Sequence, residues 1–132
     1  MTTEQALQAA VSAMRSGEHR FDVTIICTTD DHQAAYWMNM LEEGLLKGAK
    51  VLAVSEDWSD GGAGNGLGTL YAFQKACALC REKYGGMDLS AELAAGSVSA
   101  ALYHTAGKGT RLAPLPASEN NNKPGVVSIL RE

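Results

Sequence analysis

Ala106-Gly107-Lys108-Gly109-Thr110-Arg111, followed twelve residues later by Lys123-Pro124, holds the residue types best suited to chemistry in this chain. Gly107 and Gly109 lack a Cβ, so the backbone there can take φ > 0 and come close to a ligand. Successive N–H groups in such a loop form a concave anion site, and the Thr110 hydroxyl adds a donor. Arg111 carries a permanent charge and can grip a phosphate through two parallel hydrogen bonds, while Lys123 adds a compact point charge. A nest with two cations suits a triphosphate.

Other candidates carry two readings each. Glu56 to Gly68, EDWSDGGAGNGLG, is a second glycine-rich stretch that either touches a ligand or only permits a tight strand-to-helix turn. Neither stretch is a standard fingerprint: Leu67 stands where G-x-G-x-x-G needs glycine after Gly62 and Gly64, and Lys108 is followed by Gly109 rather than Ser or Thr. Asp30, Asp31, Asp57 and Asp60 fall beyond strand ends, where open α/β sheets gather ligands, but aspartates there also cap helices. His104 either faces a phosphate or is a satisfied structural residue, and Lys108 either meets ligand or solvent. Cys77-Ala-Leu-Cys80 has the spacing of half a zinc site, without a second ligand pair and inside a helical pattern, which favours the core. Cys27 reads as a buried strand thiol, and three cysteines do not make a disulfide framework.

The elements that position these residues follow from periodicity. Leu7, Ala10, Val11 and Met14 predict a helix over 4–15, capped by Thr2 or Thr3, stopped by Gly17 and lying on a sheet face. DVTIICT (22–28) is nearly continuous in apolarity, as for a strand covered on both sides. A helix over 32–47 follows, with Ala34, Trp37, Met38, Leu41 and Leu45 inward, then a strand over 50–55. A helix over 69–84 turns Leu70, Phe73, Cys77 and Cys80 inward. A short helix over 90–95 and a strand over 97–103 lead into the phosphate loop, and Val126 to Leu130 fits either a strand or a helix start. Strand, helix and strand in succession predict an α/β, Rossmann-like, mostly parallel sheet with flanking helices.

At the phosphate loop the chain resembles the sugar-1-phosphate nucleotidyltransferases. AGKGTR is close to the form in N-acetylglucosamine-1-phosphate uridyltransferases, and the GAGNGLGTL turn upstream resembles the GSGGATL-like turn of L-fucose-1-phosphate guanylyltransferases, the closest in layout. The resemblance implies nucleotidyl transfer from a nucleoside triphosphate to a sugar 1-phosphate with release of pyrophosphate. It implies that Ala106, Gly107, Lys108, Gly109 and Thr110 bind the nucleotide. It further implies that Arg111 stabilises departing pyrophosphate, that Lys123 contacts phosphates at the reacting centre, and that Mg2+ is the cofactor. The family's metal-binding aspartate stands on a later strand, so residues 1–132 read as a single N-terminal nucleotide-binding part. Two rival readings are a non-catalytic nucleotide- or phosphosugar-binding module and a small α/β domain that forms homo-oligomers through sheet edges.

The totals narrow the partners. With 132 residues, 45% hydrophobic and 20% charged, the chain suits one globular domain. A formal charge of −4 without a block of like charges gives nucleic acid and membrane surfaces no electrostatic support. No basic leader or long apolar run is present, and a cytoplasmic location is expected.

Overall fold

The computed structural model describes residues 1–18, 20–44, 46–58 and 64–105. Three strands, β1 (Val23–Thr28), β2 (Lys50–Ser55) and β3 (Ala100–His104), form one all-parallel sheet in the order β2-β1-β3. Helices α1 (Thr3–Ser16), α2 (Asp31–Glu43), α3 (Gly64–Lys83) and α4 (Leu89–Ala94) flank it. This is the expected α/β, Rossmann-like layout. Among the described residues no helix is long and apolar enough to cross a membrane.

β1 lies in the centre and every one of its residues is buried, as its unbroken apolarity requires. Ile25 and Cys27 face α3 and α4 with Leu52, Val54, Ala72, Ala76, Cys80 and Leu89. Ile26 and Ala53 face the other way, against Ala34, Trp37, Met38 and Leu41 of α2. The inward stripe expected for α2 is therefore present, except that Leu45 lies outside the described residues.

Local signals set most helix ends. The Thr2 hydroxyl accepts from the Gln5 amide while the Gln5 side chain accepts from the Thr2 amide, and Gly17 closes α1 with φ 75°. Asp30 caps α2 by accepting from the Gln33 amide at 2.8 Å. α2 stops at Glu43 rather than 47, because the chain turns at Gly44, where a Cβ would stand 2.6 Å from the Met40 carbonyl oxygen.

Three further expectations are corrected. α3 begins at Gly64, five residues before Thr69, so the last five residues of the glycine-rich stretch are helical. Glycine costs a helix up to about 1 kcal/mol per residue, yet at buried Gly68 it makes room, for a Cβ there would stand 2.6 Å from a Glu56 carboxylate oxygen. Leu70 is 67% exposed, because the inward stripe of α3 runs through Ala72, Ala76, Cys77 and Cys80. β3 starts at Ala100 instead of 97, since Ser97 is held by Glu92 and the Ser99 amide and hydroxyl both donate to Asp22. That pairing, led by the Ser99 amide, holds the Asp22 carboxyl below the usual range.

α1 does not close down on the sheet. None of its residues is buried, and Met14 is half exposed. Between α1, α2 and the faces of β1 and β3 runs an apolar cavity of about 670 Å³, lined by Ala10, Met14, Phe21, Trp37, Leu41 and Tyr103 among others.

Among the described residues β2 is an edge strand, and its outer side is partly blocked. The Val51 amide donates to the Tyr84 hydroxyl at 3.2 Å, and Lys83 donates to the Val51 carbonyl at 3.3 Å while pairing with Glu42. Occupied edge groups and a charge are devices that discourage strand addition.

Leu89 sits fully buried on a six-residue helix and seals the α3 layer. Leu89→Ala is expected to lower unfolding free energy by about 2 to 4 kcal/mol, the usual range for a large-to-small change in a core. Urea denaturation checks it, and a loss below about 1 kcal/mol would mean that α4 does not close this core.

Candidate functional site

All three strands deliver their carboxyl ends to one edge: Thr28, Ser55 and His104. In an open α/β sheet ligands bind outside that edge, at the point where strand order reverses. With the order β2-β1-β3, that point lies between β1 and β3. Thr105 is fastened there, for its amide and its hydroxyl both donate to the Cys27 carbonyl, each at 2.8 Å. The chain is thus pinned beside β1 at the residue before the AGKGTR segment. Ala106, Gly107, Lys108, Gly109, Thr110, Arg111 and Lys123 themselves lie outside the described residues, as do Asp60 and Val126 to Leu130.

Two polar groups occupy the described part of this edge. In the first, Lys75 donates to the Ser55 carbonyl, the Ser55 hydroxyl and Asp57 Oδ1, each at 2.9 Å. Ser55 in turn donates to Asp31 Oδ1 at 2.6 Å, and the Tyr71 hydroxyl donates to Asp57 Oδ1 at 2.7 Å. An ammonium has three N–H donors. Those of Lys75 are matched by protein acceptors, so it fixes the end of β2 to α3 rather than reaching for a phosphate. The Tyr71 hydrogen bond, followed by those from Lys75, holds the Asp57 carboxyl down at about 2. Asp57 in turn pushes the Tyr71 hydroxyl up. Trp58, half exposed, stands edge-on to Tyr71 with ring centroids 5.2 Å apart.

The second group follows from register. Cys27 is the Cα partner of both Val54 and His104, so these three side chains share a sheet face. Glu56, two residues past Val54, returns to that face because side chains alternate along a strand. The Cys27 thiol lies 3.9 Å from Glu56 Oε2, and His104 Nε2 lies 2.7 Å from the Thr69 hydroxyl on α3. Burial, then the neighbouring Glu56 charge, pushes the Cys27 thiol up to about 11. Cys77 and Cys80 are free, buried and likewise pushed up, first by burial. They belong to the core, as the helical pattern suggested, and their protonated thiols are not nucleophiles.

The aspartates take the roles of caps and anchors: Asp30 caps α2, Asp31 accepts from Ser55, and Asp57 accepts from Lys75 and Tyr71. His104 faces Thr69 at the edge where it was expected. Glu56, Thr69, Tyr71 and Lys75 are additions of the structure. The signals open to a reader of the sequence were the place of Glu56 directly after a strand and the i, i+4 spacing of Tyr71 and Lys75 on one helix face.

No protein family, curated protein or solved structure matches the chain.

The depressed Asp57 has a measurable consequence. Because its folded value lies below the ordinary one, its contribution to stability is present above about pH 4 and fades as pH falls through about 2. The Asp57 carboxyl resonance is expected to titrate near 2, and to move upward in Tyr71→Phe. An unmoved midpoint in that variant would remove the Tyr71 bond as the main cause.

Proposed function

We propose that the carboxyl edge of the sheet binds the phosphates of a nucleoside triphosphate and that the chain serves nucleotidyl transfer to a sugar 1-phosphate. The observation that carries this reading is the fastening of Thr105 to the Cys27 carbonyl. It sets Thr105, the residue before the AGKGTR segment, at the reversal between β1 and β3, where an open α/β sheet holds its ligand. In this reading Ala106 to Thr110 wrap the phosphates with backbone N–H groups. Arg111 meets the departing pyrophosphate, and Lys123 meets the phosphates at the reacting centre.

The reaction is an in-line displacement: a phosphate oxygen of the sugar 1-phosphate forms a bond to the α-phosphorus, and the bond to the bridging oxygen of pyrophosphate breaks. Such a step relies on positioning and on charge already in place to meet the spreading negative charge. Mg2+, implied by the resemblance, wants an octahedron of oxygen ligands. The described carboxylates do not fit that need. Asp31 and Asp57 are held by Ser55, Tyr71 and Lys75, Asp30 caps α2, and Glu56 stands beside a thiol and an imidazole.

The test is calorimetry with guanosine and uridine triphosphates. Arg111→Ala is expected to weaken binding by about 1.5 to 3 kcal/mol, the range for hydrogen bonds to a charged group. If Gly109 takes φ > 0 in the bound loop, Gly109→Val is expected to abolish it with the fold retained, since a β-branched residue there is a genuine outlier. Native affinity in both variants would mean that the segment is a connector. Binding without pyrophosphate release in the presence of fucose-, mannose- or glucose-1-phosphate would assign a binding module in place of a transferase.

A further inference from the structure

We infer that Cys27, Glu56 and His104 form a site for one divalent transition ion of the zinc class, at the carboxyl ends of all three strands. One ligand atom from each, a sulfur, a carboxylate oxygen and a ring nitrogen, lies within 4.8 Å of the others. The chain supplies them from widely separated stretches, and the parallel register is what gathers them: Cys27 and His104 are Cα partners, and Glu56 follows β2 on the same face.

The geometry is near that of an ion-binding set. A tetrahedral zinc, with sulfur at about 2.3 Å and oxygen at about 2.0 Å, holds those two atoms about 3.5 Å apart. Cys27 Sγ and Glu56 Oε2 are 3.9 Å apart, so a small closure around the ion suffices. Thiolate, imidazole and carboxylate are all zinc ligands, whereas magnesium takes oxygen. The described residues supply three ligands, and a zinc site with three protein ligands keeps a fourth position for water or substrate.

The surroundings fit a metal centre as well. The Thr69 hydroxyl lies 2.7 Å from His104 Nε2, and a hydrogen bond at one ring nitrogen fixes the imidazole while the other is left for an ion. Gly68 leaves room for the Glu56 carboxylate against the first turns of α3, where a Cβ would meet its oxygen at 2.6 Å. On binding, the sulfur–metal bond forms as the thiol proton leaves to solvent, and no electron is transferred. The ion's two positive charges then meet a thiolate and a carboxylate. This site needs no phosphate, so it stands or falls apart from the nucleotide reading.

Cobalt alone, titrated into the untagged, reduced chain without nucleotide, is the test. One equivalent should bind with a sulfur-to-cobalt charge-transfer band in the near ultraviolet, and one equivalent of zinc should bleach it. Cys27→Ala should lose the band, and the double substitution Cys77→Ala with Cys80→Ala should keep it. Glu56→Gln and Gly68→Ala retain the thiol and should weaken the cobalt Kd at least tenfold with a native far-ultraviolet spectrum. Glu56→Gln changes only a half-buried carboxylate and carries the test if Cys27→Ala does not fold. No band in the native chain, unchanged cobalt affinity in Glu56→Gln, or a band that vanishes with Cys77 and Cys80 would overturn the assignment.

Discussion

β1 has a parallel partner on each side and a helical layer on each face, and the other elements take their places from it. Its register with β2 runs from Val23 opposite Lys50 to Thr28 opposite Ser55, and with β3 from Val23 opposite Ala100 to Cys27 opposite His104. Because both pairings are in step, the three strands finish together. The hydrogen bonds continue beyond the strands: the Glu56 amide donates to the Thr28 carbonyl and the Thr105 amide to the Cys27 carbonyl. A one-residue slip in either pairing would turn a whole strand over and separate Cys27 from Glu56 or His104.

That constraint gives the carboxyl edge its chemical character. On the β2 side, Lys75 and Tyr71 hold Asp57, and Ser55 links Lys75 to Asp31, so the charges there are spent within the protein. Across the ends of all three strands, the thiol of Cys27, the carboxylate of Glu56 and the imidazole of His104 stand close together. The chain then enters the AGKGTR segment from Thr105. The two groups therefore differ in kind, an anchored salt-bridge network beside a cluster of a thiol, a carboxylate and an imidazole.

Much of the frame was legible. The apolar run at Asp22 to Thr28, the cap at Asp30, the stop at Gly17 and the inward stripe through Ala34, Trp37, Met38 and Leu41 are local signals, and local energetics decide such features. The misread places are those where tertiary packing overrides them. Gly64 to Gly68 extend the helix although glycine disfavours it, with Glu56 lying against Gly68, and Leu70 is turned outward because the small residues Ala72 and Ala76 meet the sheet. The stripe of α1 predicted a docked helix, yet the neighbouring sheet face is an open groove. The motif on which the proposed phosphate site rests, Ala106 to Arg111, lies outside the described residues. The grouping of Cys27 with Glu56 and His104 is not legible, since it depends on registers between distant segments, Cys27 standing 29 residues before Glu56 and 77 before His104.

The central claim is that ligand phosphates meet the sheet at the carboxyl ends of β1 and β3. Amide chemical-shift mapping during titration with a nucleoside triphosphate tests it most directly. Thr28, Thr29 and Thr105 should shift strongly while Val23, Lys50 and Ala100, at the opposite edge, stay in place. Shifts centred on the opposite edge or in the groove beside Met14 and Trp37, or no shifts at all, would contradict the account.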